Sequence, residues 1–191
     1  MRLFKIIICA MFFISFSSAH ASETRDDRNQ LYLGINGGSY PDMIEIGNKE
    51  DGLGGSFQIG YDLHKFIAVE SQLGVAYAST EESAGGNSLS ANSLVYYGSI
   101  YLRGNVRFDT FTFFAMAGYT YLQNDFELSS NIALLNIDDS ESFDDVSYGA
   151  GVDLYGNDTT ALSLKWMRII DMGDQGELDA WMLGFTHYLK N

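Results

Sequence analysis

Eight segments of the chain alternate apolar residues with small or polar ones, and the last of them ends at Leu189. In the clearest segment, Phe66–Tyr77, Val69 and Leu73 alternate with Glu70 and Gln72. Side chains of a strand point to opposite faces with a period of two, so each segment predicts a strand with one apolar and one polar face. The polar faces hold charged and amide side chains among glycines, and the apolar faces are rich in aromatic residues. An apolar outside around a polar inside is typical of an outer-membrane β-barrel.

The pattern predicts an all-β fold, an eight-stranded antiparallel up-and-down transmembrane barrel that occupies residues 30–189. Most of the strands have close to the 9–11 residues, roughly, that a tilted strand needs to cross a bilayer. Their predicted bounds are Gln30–Tyr40, Gly54–Tyr61, Phe66–Tyr77, Ser93–Val106, Phe111–Leu122, Asp145–Tyr155, Thr160–Ile169 and Ala180–Leu189.

The connections between the predicted strands alternate in length. Three are short turns rich in Asp, Asn, Gly and Thr, namely Asp62–Lys65, Arg107–Thr110 and Gly156–Thr159. The other four are longer, at about 10 to 22 residues, and barrels of this type have short periplasmic turns and longer extracellular loops. With an even strand number, both ends of the mature chain are then expected in the periplasm and the long loops outside.

The N-terminus predicts a cleaved secretory signal peptide over residues 1–21. Two basic residues come first, followed by an uncharged apolar run from 6 to 16 and then by small residues. Ala19 and Ala21 form an A-x-A cleavage site before Ser22. A transmembrane anchor is the alternative, but the run is shorter than the roughly 20 apolar residues that span a bilayer. Residues 22–29 are expected to form a short periplasmic segment.

Charge and cysteine content exclude several classes of function. Cleavage would remove two of the 11 basic residues and the single cysteine, which leaves 25 acidic against nine basic residues, a net charge of −16. A chain without cysteine has no disulfide, thiol nucleophile or cysteine metal site. Its acidity argues against nucleic acid, which needs a basic patch. The acids gather between the predicted strands, in Pro41–Gly52, Ser79–Asn92, Gln123–Asp145 and Ile170–Asp179.

The inward faces predict a polar network inside the barrel. An eight-stranded barrel is only wide enough to be filled by its own side chains, and buried charges must be paired. We therefore expect Glu70 and Asp153 to face Arg103 and Lys165. A gated ion path is the alternative, and the narrow lumen favours a satisfied core network. The predicted members are Glu70, Gln72, Tyr97, Tyr101, Arg103, Asp153 and Lys165.

One acidic loop could hold a hard cation, because closely spaced carboxylates suit Ca²⁺ or Mg²⁺. It contains Asp171, Asp174, Glu177 and Asp179. The spacing does not match the twelve-residue calcium loop, so we expect a solvated acidic loop without a metal or cofactor. Acids beside lipopolysaccharide phosphates could still share divalent cations with them.

Four segments, in order, resemble the small outer-membrane β-barrel superfamily. These are Leu31-Tyr-Leu-Gly-Ile-Asn-Gly-Gly, Ala68-Val-Glu-Ser-Gln-Leu-Gly, Phe113-Phe-Ala-Met-Ala-Gly-Tyr and Ser147-Tyr-Gly-Ala-Gly-Val-Asp, similar to its first, third, fifth and sixth strands. The superfamily includes the transmembrane domain of outer-membrane protein A and the outer-membrane protein X/adhesion-invasion group. Its last strand usually ends on an aromatic residue, and Leu189 stands in that place here. The resemblance covers roughly Gln30–Leu189.

The sequence as a whole favours a non-enzymatic integral outer-membrane barrel with acidic extracellular loops and a structural or surface-interaction role, such as adhesion or envelope integrity. A small porin or ligand-binding barrel is the first alternative, and a lipid A-modifying enzyme is the second. An acyl-transfer enzyme needs a base beside its nucleophile near the outer leaflet. His64 and His187 are both expected near the periplasmic end. The resemblance implies a monomer whose partners are outer-membrane lipid, lipopolysaccharide, the barrel-assembly machinery and an extracellular ligand.

Overall fold

The computed structural model describes residues 30–46, 48–84, 87–130, 136–171 and 177–189. The predicted signal peptide, its cleavage site at Ala19, Ala21 and Ser22, the segment 22–29 and Asp174 lie outside the described residues. No helix in the described part of the chain is long and apolar enough to cross a membrane.

Eight antiparallel strands form a closed barrel in chain order, and β1 pairs with β8 to close it. The predicted eight-stranded up-and-down barrel is therefore confirmed. The strands are β1 (Leu31–Ile46), β2 (Asn48–His64), β3 (Ile67–Ala84), β4 (Asn87–Arg107), β5 (Phe111–Ser130), β6 (Asn136–Asn157), β7 (Thr160–Asp171) and β8 (Glu177–Tyr188).

The barrel has the inverted arrangement of apolar and polar faces that the alternation predicts. On β3, Leu73 is 65% exposed, whereas the neighbouring inward positions Glu70 and Gln72 are both 0% exposed. The outward face carries large apolar side chains on every strand, for example Ile35, Phe57, Ile100, Phe113, Leu154, Leu164 and Phe185. An outward apolar belt around a partly polar interior suits a barrel that is surrounded by lipid.

The strands are longer than predicted, so the expectation of four loops of about 10 to 22 residues is wrong. β3 and β4 pair as far as Ala84 and Asn87, and β5 and β6 pair as far as Ser129 and Asn136. In the predicted acidic loop, Asp171 ends β7, while Glu177 and Asp179 belong to β8. On β6 the extension Asp138–Ser142 is polar on both faces, so it carries no apolar signal although it is a strand. On β5, Phe126 and Leu128 continue the inward apolar alternation beyond the predicted end at Leu122.

Strands β3 to β6 pair with one another beyond the points where their pairing with β2 and β7 ends. They form a four-stranded sheet, which we call the projecting sheet, and its described residues lie within 78–93 and 119–147. On one side, the pairing of β2 with β3 ends at Leu53 and Tyr77. On the other side, the pairing of β6 with β7 ends at Tyr148 and Arg168. The sheet stands at the end of the barrel opposite the three short turns, which we call the turn end.

Two strand irregularities shift the register at the projecting end. In β1, the pairing with β2 shifts between Tyr40 and Ile44, where Pro41 lacks an amide hydrogen and Asp42 has a φ of 55°. The predicted first strand ends at Tyr40, whereas β1 continues to Ile46 and Pro41 lies within it, at this bulge. In β7, the pairing with β8 shifts between Arg168 and Ile170.

Candidate functional site

A charged cluster fills the barrel interior near the turn end. Arg103, from β4, bonds Glu70 of β3 at 3.3 Å and forms an ion pair with Asp153 of β6. Its Nε also donates to Asn105 Oδ1 at 2.8 Å. The guanidinium carbon lies 3.8 Å from the centre of the Phe114 ring, a cation–π contact that a planar arginine makes well.

Glu70 is the acceptor at the centre of this cluster. Tyr32 Oη donates to its Oε2 at 2.8 Å, and Gln72 Nε2 donates to its Oε1 at 3.1 Å. Lys165 Nζ lies 3.9 Å from Oε1 and donates to Gln58 Oε1 at 2.9 Å. The two buried cations and two buried anions balance, which is the condition under which buried charges are tolerated.

Asp153 has a second partner, since Ser163 Oγ donates to its Oδ1 at 2.6 Å. Closer to the turns, Arg107 Nη2 and Asp62 Oδ2 form another ion pair at 2.6 Å. Every described carboxylate in this part of the interior thus forms an ion pair with a cationic side chain. Glu70 and Asp153 each also accept a hydrogen bond from a hydroxyl group. The arrangement suits a stable polar core.

The structure places all seven residues of the predicted network inside the barrel. Glu70, Gln72, Arg103, Asp153 and Lys165 are joined as described above. Tyr97 and Tyr101 lie farther along the barrel, where Tyr97 Oη is 3.1 Å from Tyr40 Oη and Tyr101 Oη is 3.4 Å from Thr120 Oγ1. Residues that the sequence analysis did not single out complete the polar contacts; they are Tyr32, Gln58, Asn105 and Ser163. All four stand at inward positions of the alternation, and this position was the only feature of the sequence that could have identified them as interior residues.

An apolar layer fills the interior on the other side of the charged cluster, towards the projecting sheet. Its buried members on β4, β5, β7 and β8 include Val95, Met116, Leu122, Met167, Ile169, Ile170, Leu178 and Met182. A smaller apolar group of Ile44, Ala78 and Ala91 continues the packing beyond it. The described interior is therefore occupied by side chains in both layers.

The projecting sheet is strongly acidic. Residues 78–93 and 119–147 contain nine acidic residues and no lysine or arginine; the acids are Glu81, Glu82, Asp125, Glu127, Asp138, Asp139, Glu141, Asp144 and Asp145. Most of those with described side chains are exposed to solvent. No group of three His, Cys, Asp or Glu side chains in the described residues is arranged to hold a metal ion.

One arginine lies on the outer face of the barrel beside this sheet. Arg168 Nε donates to Asp179 Oδ1 at 2.9 Å, and its Nη2 forms an ion pair with Glu177. Two of the predicted acidic-loop residues thus hold a guanidinium between β7 and β8. The nearby rings of Tyr148 and Trp166 meet edge to face at 5.9 Å, as in the aromatic girdles at membrane interfaces.

Known proteins share both the sequence profile and the fold. The profile of the outer membrane protein beta-barrel domain family matches residues 7–187, whereas comparison with curated protein sequences gives no match. OprG of Pseudomonas aeruginosa has a TM-score of 0.59 at 11% identity, over 88% of this chain and all of OprG. Ail of Yersinia pestis, in complex with the heparin analogue sucrose octasulfate, has a TM-score of 0.57 at 13% identity, over 86% of this chain and 99% of Ail.

The N-terminal β-barrel domain of Pseudomonas aeruginosa OprF is also similar, with a TM-score of 0.54 at 16% identity over 86% of this chain and all of that domain. At these identities the likeness to solved structures shows the fold, and the family profile covers nearly the whole chain. Both the shared fold and the family profile agree with the outward apolar belt and the closed eight-stranded topology. The chain belongs to the outer membrane protein beta-barrel domain family and is an outer-membrane β-barrel protein.

Proposed function

We propose that this protein is a non-enzymatic surface-interaction barrel whose projecting sheet stands outside the cell. The observation that carries the proposal is the contrast between a filled interior and a large exposed sheet at one end. The turns and both termini are then periplasmic. Residues 1–21 are the signal peptide, cleaved after Ala21, and residues 22–29 form the periplasmic lead into a barrel domain at 30–189.

The filled interior argues against a porin or ligand-binding barrel. The charged cluster occupies one half of the lumen, with Arg103, Glu70 and Lys165 each at most 3% exposed. The apolar layer occupies the other half, where Met167, Ile169 and Ile170 are fully buried. Ions would have to displace both packed layers to pass. The packed lumen therefore weakens the alternative that this protein is a small porin or a ligand-binding barrel.

The positions of the histidines argue against a lipid A-modifying enzyme. His64 ends β2 at the turn end, where its ring lies 5.4 Å from the ring of Phe66. His187 is exposed on the outer face of β8, near the same end. Neither imidazole is near the projecting end, so neither is placed to act as the base for chemistry in the outer leaflet. Mass spectra of lipid A from cells with and without the protein are expected to be identical.

The charge of the projecting sheet sets the class of ligand. The structure of Ail holds a heparin analogue, a polyanion. A sheet with nine acids and no lysine or arginine would repel such a ligand. We therefore infer that this protein acts at the surface on neutral or cationic partners. A monomeric barrel is also expected to have membrane partners, which are the lipid around the apolar belt, the lipopolysaccharide and the barrel-assembly machinery.

Protease footprinting on intact cells tests the surface role. Endoproteinase Glu-C cuts after glutamate, and the sheet offers Glu81, Glu127 and Glu141, while trypsin has no site in residues 78–93 or 119–147. We expect Glu-C to cut these sites in salt-washed cells and to cut them less in unwashed cells that retain a bound partner. Equal cleavage before and after washing, or cleavage only in cells with an opened outer membrane, would contradict the proposal.

A further inference from the structure

The tip of the β1–β2 hairpin has no strand beside it. The pairing of β1 with β8 ends at Ser39 and Trp181, and the pairing of β2 with β3 ends at Leu53 and Tyr77. Beyond these pairs, β1 and β2 pair only with each other among the described residues. We call this two-stranded piece the free ribbon (40–46 and 48–52). Because a two-stranded hairpin without further packing is only marginally stable in water, the position of the free ribbon depends on the side chains that it buries.

One buried isoleucine attaches the free ribbon to the projecting sheet. Ile44 is 2% exposed and belongs to the small apolar group that contains Ala78 of β3 and Ala91 of β4. Phe126 and Leu128 of β5 pack against the same group. The period of two places all four of these sheet residues at inward positions of their strands. The free ribbon therefore lies over an apolar inner face of the projecting sheet.

A methionine of the free ribbon extends this contact. Met43 packs against the small apolar group and also against the apolar layer of the barrel. It lies against Gly52 on the other strand of the ribbon, where a Cβ would clash with the methionine sulfur. Methionine is unbranched and adapts to irregular gaps. Two apolar side chains, Ile44 and Met43, thus hold the described part of the free ribbon on the sheet without a backbone ladder.

A strained bulge lies at the base of the free ribbon. Between Tyr40 and Ile44, three residues of β1 face a single residue of β2, Asp51. Asp42, in the middle of the bulge, has a φ of 55° and is the one non-glycine residue with a positive φ in the described chain. Its backbone N–H donates to Asp51 Oδ1 at 3.3 Å. Such strain persists only where surrounding contacts hold it, so release of Ile44 would let the bulge relax.

The chain on the barrel side of the bulge is fixed, since Tyr40 is fully buried and its hydroxyl lies 3.1 Å from that of Tyr97. We propose that the free ribbon is a hinged strap, which moves about the bulge at residues 41–43 and covers or uncovers the apolar inner face of the projecting sheet. When the strap lifts, the face around Ala91 opens to solvent, and the return of Ile44 closes it. The charged cluster lies deeper in the barrel and stays in place, so movement of the strap does not open the lumen.

Thiol labelling of the full mature barrel in phospholipid nanodiscs tests the strap. Ala91→Cys places a thiol in the covered apolar group, and we expect a water-soluble maleimide to label it much more slowly than Ser140→Cys. Addition of Ile44→Ala should raise the rate at Ala91→Cys about 10-fold or more, as loss of a buried isoleucine would. Equal rates at Ala91→Cys and Ser140→Cys would show that the face is never covered and would overturn the proposal.

The matched control is Ile170→Ala, which removes the same atoms from the apolar layer. Ile170 is fully buried and is held by its pairing with Leu178 of β8. We expect this variant to leave the labelling rate of Ala91→Cys almost unchanged. If the two isoleucine variants raised the rate equally, or if Ile44→Ala left it unchanged, Ile44 would not be what holds the strap and the proposal would fail.

Variants of the bulge separate hinge motion from a local gap left beneath a shortened Ile44. Asp42→Asn keeps a residue that tolerates a positive φ, whereas Asp42→Val introduces a β-branched residue that this φ strongly disfavours. Neither variant alters the side chain of Ile44. We expect Asp42→Val to speed the labelling of Ala91→Cys about 5-fold or more, from the cost of a left-handed conformation, and Asp42→Asn to leave it unchanged. The same rate in both variants would rule out the bulge as the hinge.

Hydrogen exchange of the backbone amides provides the remaining measurement. The amides of the pairs Ile44–Glu50 and Ile46–Asn48 should exchange together and faster than those of β1 and β2 within the barrel, because lifting of the strap exposes only the ribbon. Ile44→Ala should speed exchange in the ribbon and leave the barrel amides unchanged, which also shows that the variant has folded. Ribbon amides that exchange as slowly as barrel amides would make the ribbon a fixed part of the barrel and overturn the proposal. All of these measurements use the purified barrel, so a failure of the proposed surface role in Glu-C footprinting would leave the strap standing.

Discussion

Arg103 and Asp153, 50 positions apart in the chain, form an ion pair inside the barrel. Arg103 also bonds Glu70, so one guanidinium joins β4 to β3 and to β6 across the lumen. All three side chains are almost fully buried. The Arg103–Glu70 pair joins the neighbouring strands β4 and β3, whereas the Arg103–Asp153 pair joins β4 to β6, which are separated by β5 in the sheet. The interior is thereby a packed core that ties the barrel together.

Removal of this guanidinium should be strongly destabilising. Arg103→Met leaves Glu70 and Asp153 as buried carboxylates without their main cation, and breaking a buried ion pair costs about 3–5 kcal/mol. The free energy of unfolding is measured by urea titration of the barrel in phospholipid vesicles. Asp153→Asn in the same chain should restore part of the loss.

The matched control is Lys65→Met, since Lys65 is an exposed cation in the turn between β2 and β3. Its expected effect is within about 0.5 kcal/mol, as for most surface substitutions. If Arg103→Met were no worse than this control, the charged cluster would not be a stabilising core.

A charge on the outer face should hinder membrane insertion. Leu164 is 49% exposed on the outward face of β7, and an arginine near the middle of the lipid belt costs about 2–4 kcal/mol. The yield of folded Leu164→Arg in vesicles should therefore fall. Ser142→Arg, on the exposed part of β6 within the projecting sheet, should fold normally. Equal yields would mean that Leu164 does not face lipid.

One glycine is required by the packing of a tyrosine. Gly74 lies across from Tyr97 on the neighbouring strand, and a Cβ at Gly74 would occupy the space of the tyrosine ring. Gly74→Ala should displace the ring and its contact with Tyr40, at a cost of about 1–3 kcal/mol. A Cβ at Gly37 would have its nearest neighbour at 3.8 Å. Gly37→Ala should therefore cause no loss, and urea unfolding of the two variants compares them.

The barrel could be predicted from the sequence because lipid on the outside imposes a clear alternation. Leu73 and Glu70 stand on opposite faces as the pattern requires, and every strand was found in order. The predicted strand ends fall short of the observed ones. On β5, Phe126 and Leu128 extend the apolar alternation past the predicted end at Leu122, whereas the extension of β6 has polar residues on both faces. For Asp138 and Ser140, a period of two leaves no apolar face to detect.

The interior could be predicted only in part. Its charges were recognisable, because Glu70 and Lys165 interrupt otherwise apolar strands. The apolar layer was not, because an inward Met167 or Ile169 resembles any other apolar residue in a strand. The register shift between Arg168 and Ile170 accompanies burial of both Ile169 and Ile170, and bulges of this kind leave no periodic signal. Contacts such as that of Tyr32 with Glu70 depend on barrel closure.

Cysteine labelling tests the proposed orientation. The predicted mature chain has no cysteine of its own, since Cys9 lies in the signal peptide. Ser140→Cys, in the projecting sheet, should react with an impermeant thiol reagent on intact cells. Asp158→Cys, in the turn between β6 and β7, should react only after the outer membrane is opened. The reverse pattern would place the projecting sheet in the periplasm.

Electrical conductance in planar lipid bilayers tests most directly the central claim that the interior of the barrel is closed. Folded insertion is first established from the fluorescence of Trp166 and Trp181, which pair across β7 and β8 on the outward face and should fluoresce as tryptophans in lipid. We predict no stepwise ion conductance from the inserted wild-type barrel, because the charged cluster and the apolar layer fill its lumen. Reproducible conductance steps from the same preparation would contradict the account and support a small porin.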